Sequence, residues 1–249
     1  MSLKNDDFDH IADLFEEKTE MLRKKFFSSS FQADINDILK SFILLTMSFN
    51  LVLSQDEMRQ MIQQVKVNKA SDAFEISNKV LQASLTELTL ILISLFNACV
   101  TYKYHLKQFK KAQTIVLYKS KKSDYIDLKT YQLIALLNIM NKTLKSIMIK
   151  RLSDIAETHH MLSNAQMKMR CKWFMILTLN LLVDQVHAVW SCKIKYVVFM
   201  LSLNVAETFN HVLHTRLLHT LRMKRTLNYI VEWTCSFLKD RESLLTFNE

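Results

Sequence analysis

The chain has 249 residues, 49% of them hydrophobic, which is enough apolar material for a buried core and excludes a disordered polymer. Its formal charge of +9 suits an anionic partner such as RNA or DNA, although the basic residues are spread along the chain and form no tail. Glycine and proline are both absent, where average usage of about 7% and 5% would give roughly 17 and 12.

That double absence has two readings. A helical bundle can dispense with both residues, since neither belongs in a helix interior. Alternatively a mutational process removed them, because GGN and CCN codons are those most depleted when C changes to T and G to A. The 13 methionines fit the second reading, as ATG arises by one such step from ACG or GTG.

In chain order, residues 6–31 space Phe8, Ile11, Leu14, Phe15, Met21 and Leu22 as an amphipathic helix. Residues 56–65 read as a short helix with Ser54 or Asp56 as its N-cap. Residues 67–81 lack helix breakers and are expected to drift toward helix, and 81–100 form a buried helix. Residues 102–112 interleave Tyr102, Tyr104 and Phe109 with lysines, a pattern that fits a solvated helix face or a surface that stacks bases and holds phosphates.

Thr114–Tyr118 is a strand pentad, and residues 141–159 a helix with Leu144, Ile147, Met148, Leu152 and Ile155 on its apolar face and Lys145, Lys150 and Arg151 opposite. His159 and His160 are adjacent, so they point apart and do not chelate one ion. The apolar run 171–179 should join a helix over 180–190, and residues 196–203 read as a strand. His211, His214 and His219 follow on a helix, with Glu207 the only carboxylate near them and no thiol, so no metal site is expected. Residues 228–239 form another amphipathic helix and 244–247 a short strand.

Cys99, Cys171, Cys192 and Cys235 show no CxxC spacing, and the charged start is no signal peptide; an intracellular, reducing setting in cytoplasm or nucleus is expected. The longest apolar runs, 42–53 and 88–100, fall short of a bilayer span, so no membrane partner is expected.

Three stretches carry a family resemblance. Residues 119–138 read Lys-Ser-Lys-Lys-Ser-Asp-Tyr-Ile-Asp-Leu-Lys-Thr-Tyr-Gln-Leu-Ile-Ala-Leu-Leu-Asn; residues 151–167 continue in register; residues 201–212 read Leu-Ser-Leu-Asn-Val-Ala-Glu-Thr-Phe-Asn-His-Val. These resemble the fingers and the first palm motif of reverse transcriptases (RNA-directed DNA polymerases) from non-LTR, LINE-like retrotransposons of the fungal type. The resemblance covers most of residues 20–249 and the front half of a polymerase.

It implies an α+β, helix-dominated fold: a helical connector and start of the fingers over 1–110, then a truncated fingers and palm region with an incomplete palm sheet over 111–249. In the intact family a carboxylate at position 204 holds Mg²⁺; here Asn204 stands there, and an amide is a poor ligand for a hard cation. Gln132 replaces the arginine that contacts the triphosphate, while Lys119, Lys122 and Phe209 keep family positions for phosphate and nucleotide contact. The polar turn that should precede residue 180 has become Cys171, Trp173, Phe174, Met175 and Thr178, each one C-to-T or G-to-A step away. The expectation is a degenerate pseudoenzyme with no catalytic residue intact and no cofactor. The open alternative is a basic helical module that binds RNA or DNA without catalysis.

Overall fold

The computed structural model describes residues 3–5, 8–12, 15–27, 52–66, 77–121, 126–167, Arg170, 175–192, 196–203 and 212–247. Contacts divide the chain into two compact units: residues 1–148 with 209–249, and residues 149–208. Position 110, where the resemblance would part the chain, lies inside the first unit.

In the first unit, β1 (Leu3–Asn5) and β2 (Phe8–Ala12) make a small antiparallel hairpin, followed by α1 (Phe15–Phe26). The single helix expected over 6–31 is therefore half as long. Phe8 and Ile11, which the spacing gave to that helix, fall instead in β2, paired with β1.

A three-helix layer follows, made of α2 (Gln55–Gln63), α3 (Asn78–Ala83) and α4 (Leu85–Thr101). Ser54 caps α2 as its sequence predicts, its hydroxyl accepting from the Glu57 N–H at 3.1 Å. Leu53, Met58, Ile62, Leu81, Leu92, Phe96 and Val100 are fully or nearly fully buried in this layer. The far end of α2 has no glycine to reverse the chain, and α3 satisfies its carbonyls from the side. Gln82 Nε2 donates to the Ile62 and Val65 carbonyls at 3.1 and 2.9 Å, and Asn78 Nδ2 to the Lys66 carbonyl at 2.6 Å. Residues 67–76, expected to become helical, lie outside the described residues. The helix expected over 81–100 is real but broken at Ser84, where α3 ends and α4 begins.

A three-stranded sheet comes next, ordered β4-β3-β5, from β3 (Lys111–Tyr118), β4 (Tyr131–Leu137) and β5 (Glu242–Phe247). β3 pairs antiparallel with β4 and parallel with β5. One face holds Leu22 of α1 against Val116, Leu128 and Tyr131. β3 and β5 were legible as strands; β4 was not, and it exists as the hairpin partner of β3.

Three further helices were also read from spacing, namely α5 (Ile139–Thr158), α7 (His214–Met223) and α8 (Asn228–Leu238). Tyr229, Ile230, Val231 and Trp233 bury one side of α8, which packs on α4 and α7. Within α5, Arg151 corrects its expected place on a solvated face, since it is 5% exposed and has an interaction partner.

With no glycine in the chain, non-glycine residues hold the left-handed turns: Lys103, Lys121, His160, Arg225 and Asp240, with φ between 49° and 65°. Three of these sit two residues past the end of a helix in the same paired-bond ending. After α4, Tyr104 N–H reaches the Cys99 carbonyl (2.9 Å) and Lys103 N–H the Val100 carbonyl (3.1 Å). His160 with Met161 repeats this after α5, and Arg225 with Thr226 after α7. The bonds are those glycine would allow, bought at a steric cost from Cβ.

In the second unit, α6 (Met175–Trp190) confirms the helix expected over 180–190 and extends it back into the apolar run. Ile176, Leu179, Val183 and Trp190 are each at least half exposed. No helix among the described residues is long and apolar enough to cross a membrane.

Candidate nucleic-acid interface

The structure brings two of the five expected site positions together. β3 and β4 pair so that Leu117 faces Gln132 and Tyr118 faces Tyr131, placing Lys119 and Gln132 at the same end of the hairpin. Lys119 continues the pairing, its N–H donating to the Thr130 carbonyl at 2.8 Å and its ammonium to the Lys129 carbonyl at 2.6 Å. Asp127 accepts from the Lys129 N–H at 2.7 Å and fixes the turn into β4. The Tyr118 and Tyr131 rings lie 5.1 Å apart, with Tyr118 half exposed. Gln132 is exposed and uncharged, so this end offers ammonium groups but no guanidinium fork for a triphosphate.

Asn204, Phe209 and Lys122 lie outside the described residues. Among the described residues no group of three or more His, Cys, Asp or Glu side chains could hold a metal ion. Cys99, Cys192 and Cys235 are unbridged, and burial raises the Cys99 thiol above its usual range.

The strand expected at 196–203 is not formed. A strand needs a neighbour to take its backbone N–H and C=O groups, and among the described residues this segment has none. Its side chains stand in solvent, with Phe199 91%, Leu201 81% and Leu203 80% exposed. Eight uncharged residues, four of them strong β-formers (Tyr196, Val197, Val198 and Phe199), left open in this way are an aggregation template. Phe199→Lys is expected to raise the soluble concentration about tenfold, one buried aromatic contact being worth about 1.5–3 kcal/mol. Sedimentation of wild type and variant side by side checks this; equal pellets would show that another surface drives association.

Comparison with protein-family models and with curated proteins finds no match. What the molecule presents must therefore be read from its own surface.

Two features take their form from the structure. The stretch 102–112 is neither a helix face nor a simple coil: α4 ends in a tight turn at Tyr102–Tyr104, followed by a 3-10 turn, Lys107–Lys110. Tyr102 is 79% exposed and Tyr104 48%. Lys110 lies under this turn with its ammonium 5.8 Å from the Tyr104 ring centroid. Lys103 reaches across to Glu232 of α8 at 2.7 Å, and Asn228 Nδ2 donates to the same carboxylate at 2.7 Å. Lys103, then Asn228, then the more distant Arg222 hold the Glu232 carboxyl below its usual range. One carboxylate of α8 thus joins the α4 turn, through Lys103, to the first turn of α8, through Asn228. The interleaved tyrosines and lysines were the available signal for this surface.

The second feature is His105, which is fully buried. Its ring packs edge-on to Trp233 (5.2 Å) and Phe237 (5.0 Å) and tilted to Phe109 (5.9 Å), while its backbone N–H donates to Ser236 Oγ at 2.9 Å. Neither ring nitrogen makes a hydrogen bond of good geometry, although the Phe109 backbone and the Asn141 side chain lie close enough to favour its charged form in part. Burial, followed by the charges of Arg241 and Lys110, pushes its pKa down to about 4. Nothing in the local sequence distinguishes this histidine from a surface one.

Proposed function

We propose that this chain is a degenerate relic of the fingers and first palm segment of a non-LTR retrotransposon reverse transcriptase, and that it does not polymerise nucleotides. The observation that carries the reading is the wording at 201–212, where the apolar frame and Phe209 persist while Asn204 and Asn210 stand in the two aspartate places. Two-metal catalysis needs anionic oxygens to hold Mg²⁺ between primer hydroxyl and triphosphate, and amides supply none. Gln132 at the hairpin end adds to this, since it offers no charge to a triphosphate. The missing glycine and proline and the single-transition mismatches at 171–178 are consistent with decay by C-to-T and G-to-A change.

The test is primer extension on a primed RNA template with Mg²⁺, in which no incorporation is expected. Incorporation abolished by Asn204→Ala would overturn the reading.

A second reading, non-specific binding of RNA or DNA without catalysis, is favoured by one observation: exposed Tyr102 and Tyr104 beside lysines on a chain of charge +9. Filter binding at low salt tests it, with retention expected to fall as salt rises. No retention at low salt would remove it.

A further inference from the structure

The second reading leaves open where a nucleic acid would sit and in what form. Tyr102 and Tyr104 are held on a backbone that cannot easily swing, because Lys103 between them is fixed at φ 54° by the two bonds that end α4. Two exposed phenol rings on one rigid turn are poor at reading a duplex, whose base faces are hidden, but suit unstacked bases. Their solvent exposure has no packing role to explain it.

The cations needed for phosphates come from two chain-distant segments. Lys107 is exposed on the 3-10 turn just past the tyrosines. Arg222 and Arg225 are exposed at the end of α7 and in the turn after it, with Arg225 held in the left-handed region at φ 58°. Glu232 ties the two segments together, bonded to Lys103 of the α4 turn and to Asn228, three residues past Arg225, on a helix that packs against both α4 and α7. Glu232 is already paired with Lys103 and Asn228, while Lys107, Arg222 and Arg225 are exposed cations. Aromatic faces with a short row of cations are the components of a single-strand platform.

From this juxtaposition we infer that the α4 turn and the α7 end together form a binding surface for single-stranded nucleic acid, with Tyr102 and Tyr104 stacking on bases and Lys107, Arg222 and Arg225 contacting phosphates. The inference rests on the non-catalytic binding reading above and adds a place and a strand preference to it. Stacking by its nature is tolerant of base identity, so the surface selects unpaired strand over sequence.

Fluorescence anisotropy of the full chain with labelled oligo(U), oligo(dT) and a duplex of equal length tests it. Both single strands are expected to bind more tightly than the duplex, with a log–log salt slope near −2, as about three phosphate contacts give. Tyr102→Ala with Tyr104→Ala should weaken binding by about a hundredfold, and the Tyr→Phe pair should restore it, since a phenyl face still stacks. Arg222→Gln with Arg225→Gln should flatten the salt slope while keeping the single-strand preference. Because all four side chains are exposed, folding is checked by circular dichroism and expected to be unchanged. If the alanine pair binds like wild type, or the duplex binds as well as the single strands, this surface is wrong while non-specific binding stands. No binding of any oligonucleotide at low salt overturns both, as does binding to phosphatidylserine vesicles alone.

Discussion

Replacing His105 with leucine is expected to make the protein more resistant to acid, by about 3 kcal/mol at pH 4 relative to wild type. In the folded chain the imidazole sits among Trp233, Phe237 and Phe109 with neither ring nitrogen in a hydrogen bond of good geometry, and the charges that reach it, Arg241 and Lys110, have its own sign. Its pKa of about 4 when folded lies below the 6.5 of a free histidine. Between those two values the unfolded chain takes up a proton that the folded chain refuses, so stability declines as pH falls through this window. Above pH 6.5 the effect is absent, and below about 4 it is complete, at about 1.4 kcal/mol for each pH unit of separation. Leucine fills a similar volume with no polar atom to desolvate, so it should be neutral or mildly stabilising at pH 7. Urea unfolding of wild type and His105→Leu from pH 7.5 to 4 gives the comparison. Parallel curves would mean that the folded histidine already finds a partner or reaches water.

The second large effect comes from giving glycine back. Lys121→Gly, Arg225→Gly and Asp240→Gly, all in the first unit, are expected to stabilise that unit by roughly 2 kcal/mol together. Each position has φ between 52° and 65°, where a Cβ costs roughly 1–2 kcal/mol and glycine costs nothing. Glycine returns roughly 0.5–1 kcal/mol of that as extra freedom in the unfolded chain, leaving a net gain of about 0.7 kcal/mol per site. The sites are separate turns, so the gains should add. A rise in the urea midpoint with an unchanged slope confirms it. A fall would show that these side chains make contacts worth more than the strain they impose.

Much of the fold was readable from period and capping. α2 with its Ser54 cap, α5, α8, β3 and β5 all follow from apolar spacing, because each buries one face locally. The misses share a different cause, since they depend on partners the sequence does not announce. Tyr131–Leu137 has no clean alternation and becomes a strand through β3. Residues 196–203 have every intrinsic feature of a strand and remain unpaired among the described residues, since strand propensity is preference for a pleated neighbour more than a property of the segment. Arg151 was assigned to water by helical phase, and its burial follows from surroundings outside the helix.

The site was legible to a similar depth. The resemblance named Lys119 and Gln132 within one motif stretch, and the structure puts them at one hairpin end. The alternation of Tyr and Lys after residue 101 marked a surface, but only the turn geometry shows that both rings stand outward. The acidic link from Lys103 through Glu232 toward Arg222 spans more than a hundred residues, and no local pattern could have revealed it.

β5 lies beside β3 in parallel, with Thr114 and Ser243 hydroxyls in contact across 129 positions of sequence. β4, by contrast, follows β3 after only twelve residues. Closing the longer loop costs about 2 kcal/mol more in chain entropy than closing the hairpin, since the penalty grows with the logarithm of length. The hairpin can therefore form before β5 pairs, and until β5 does so one edge of β3 stays open to other strands.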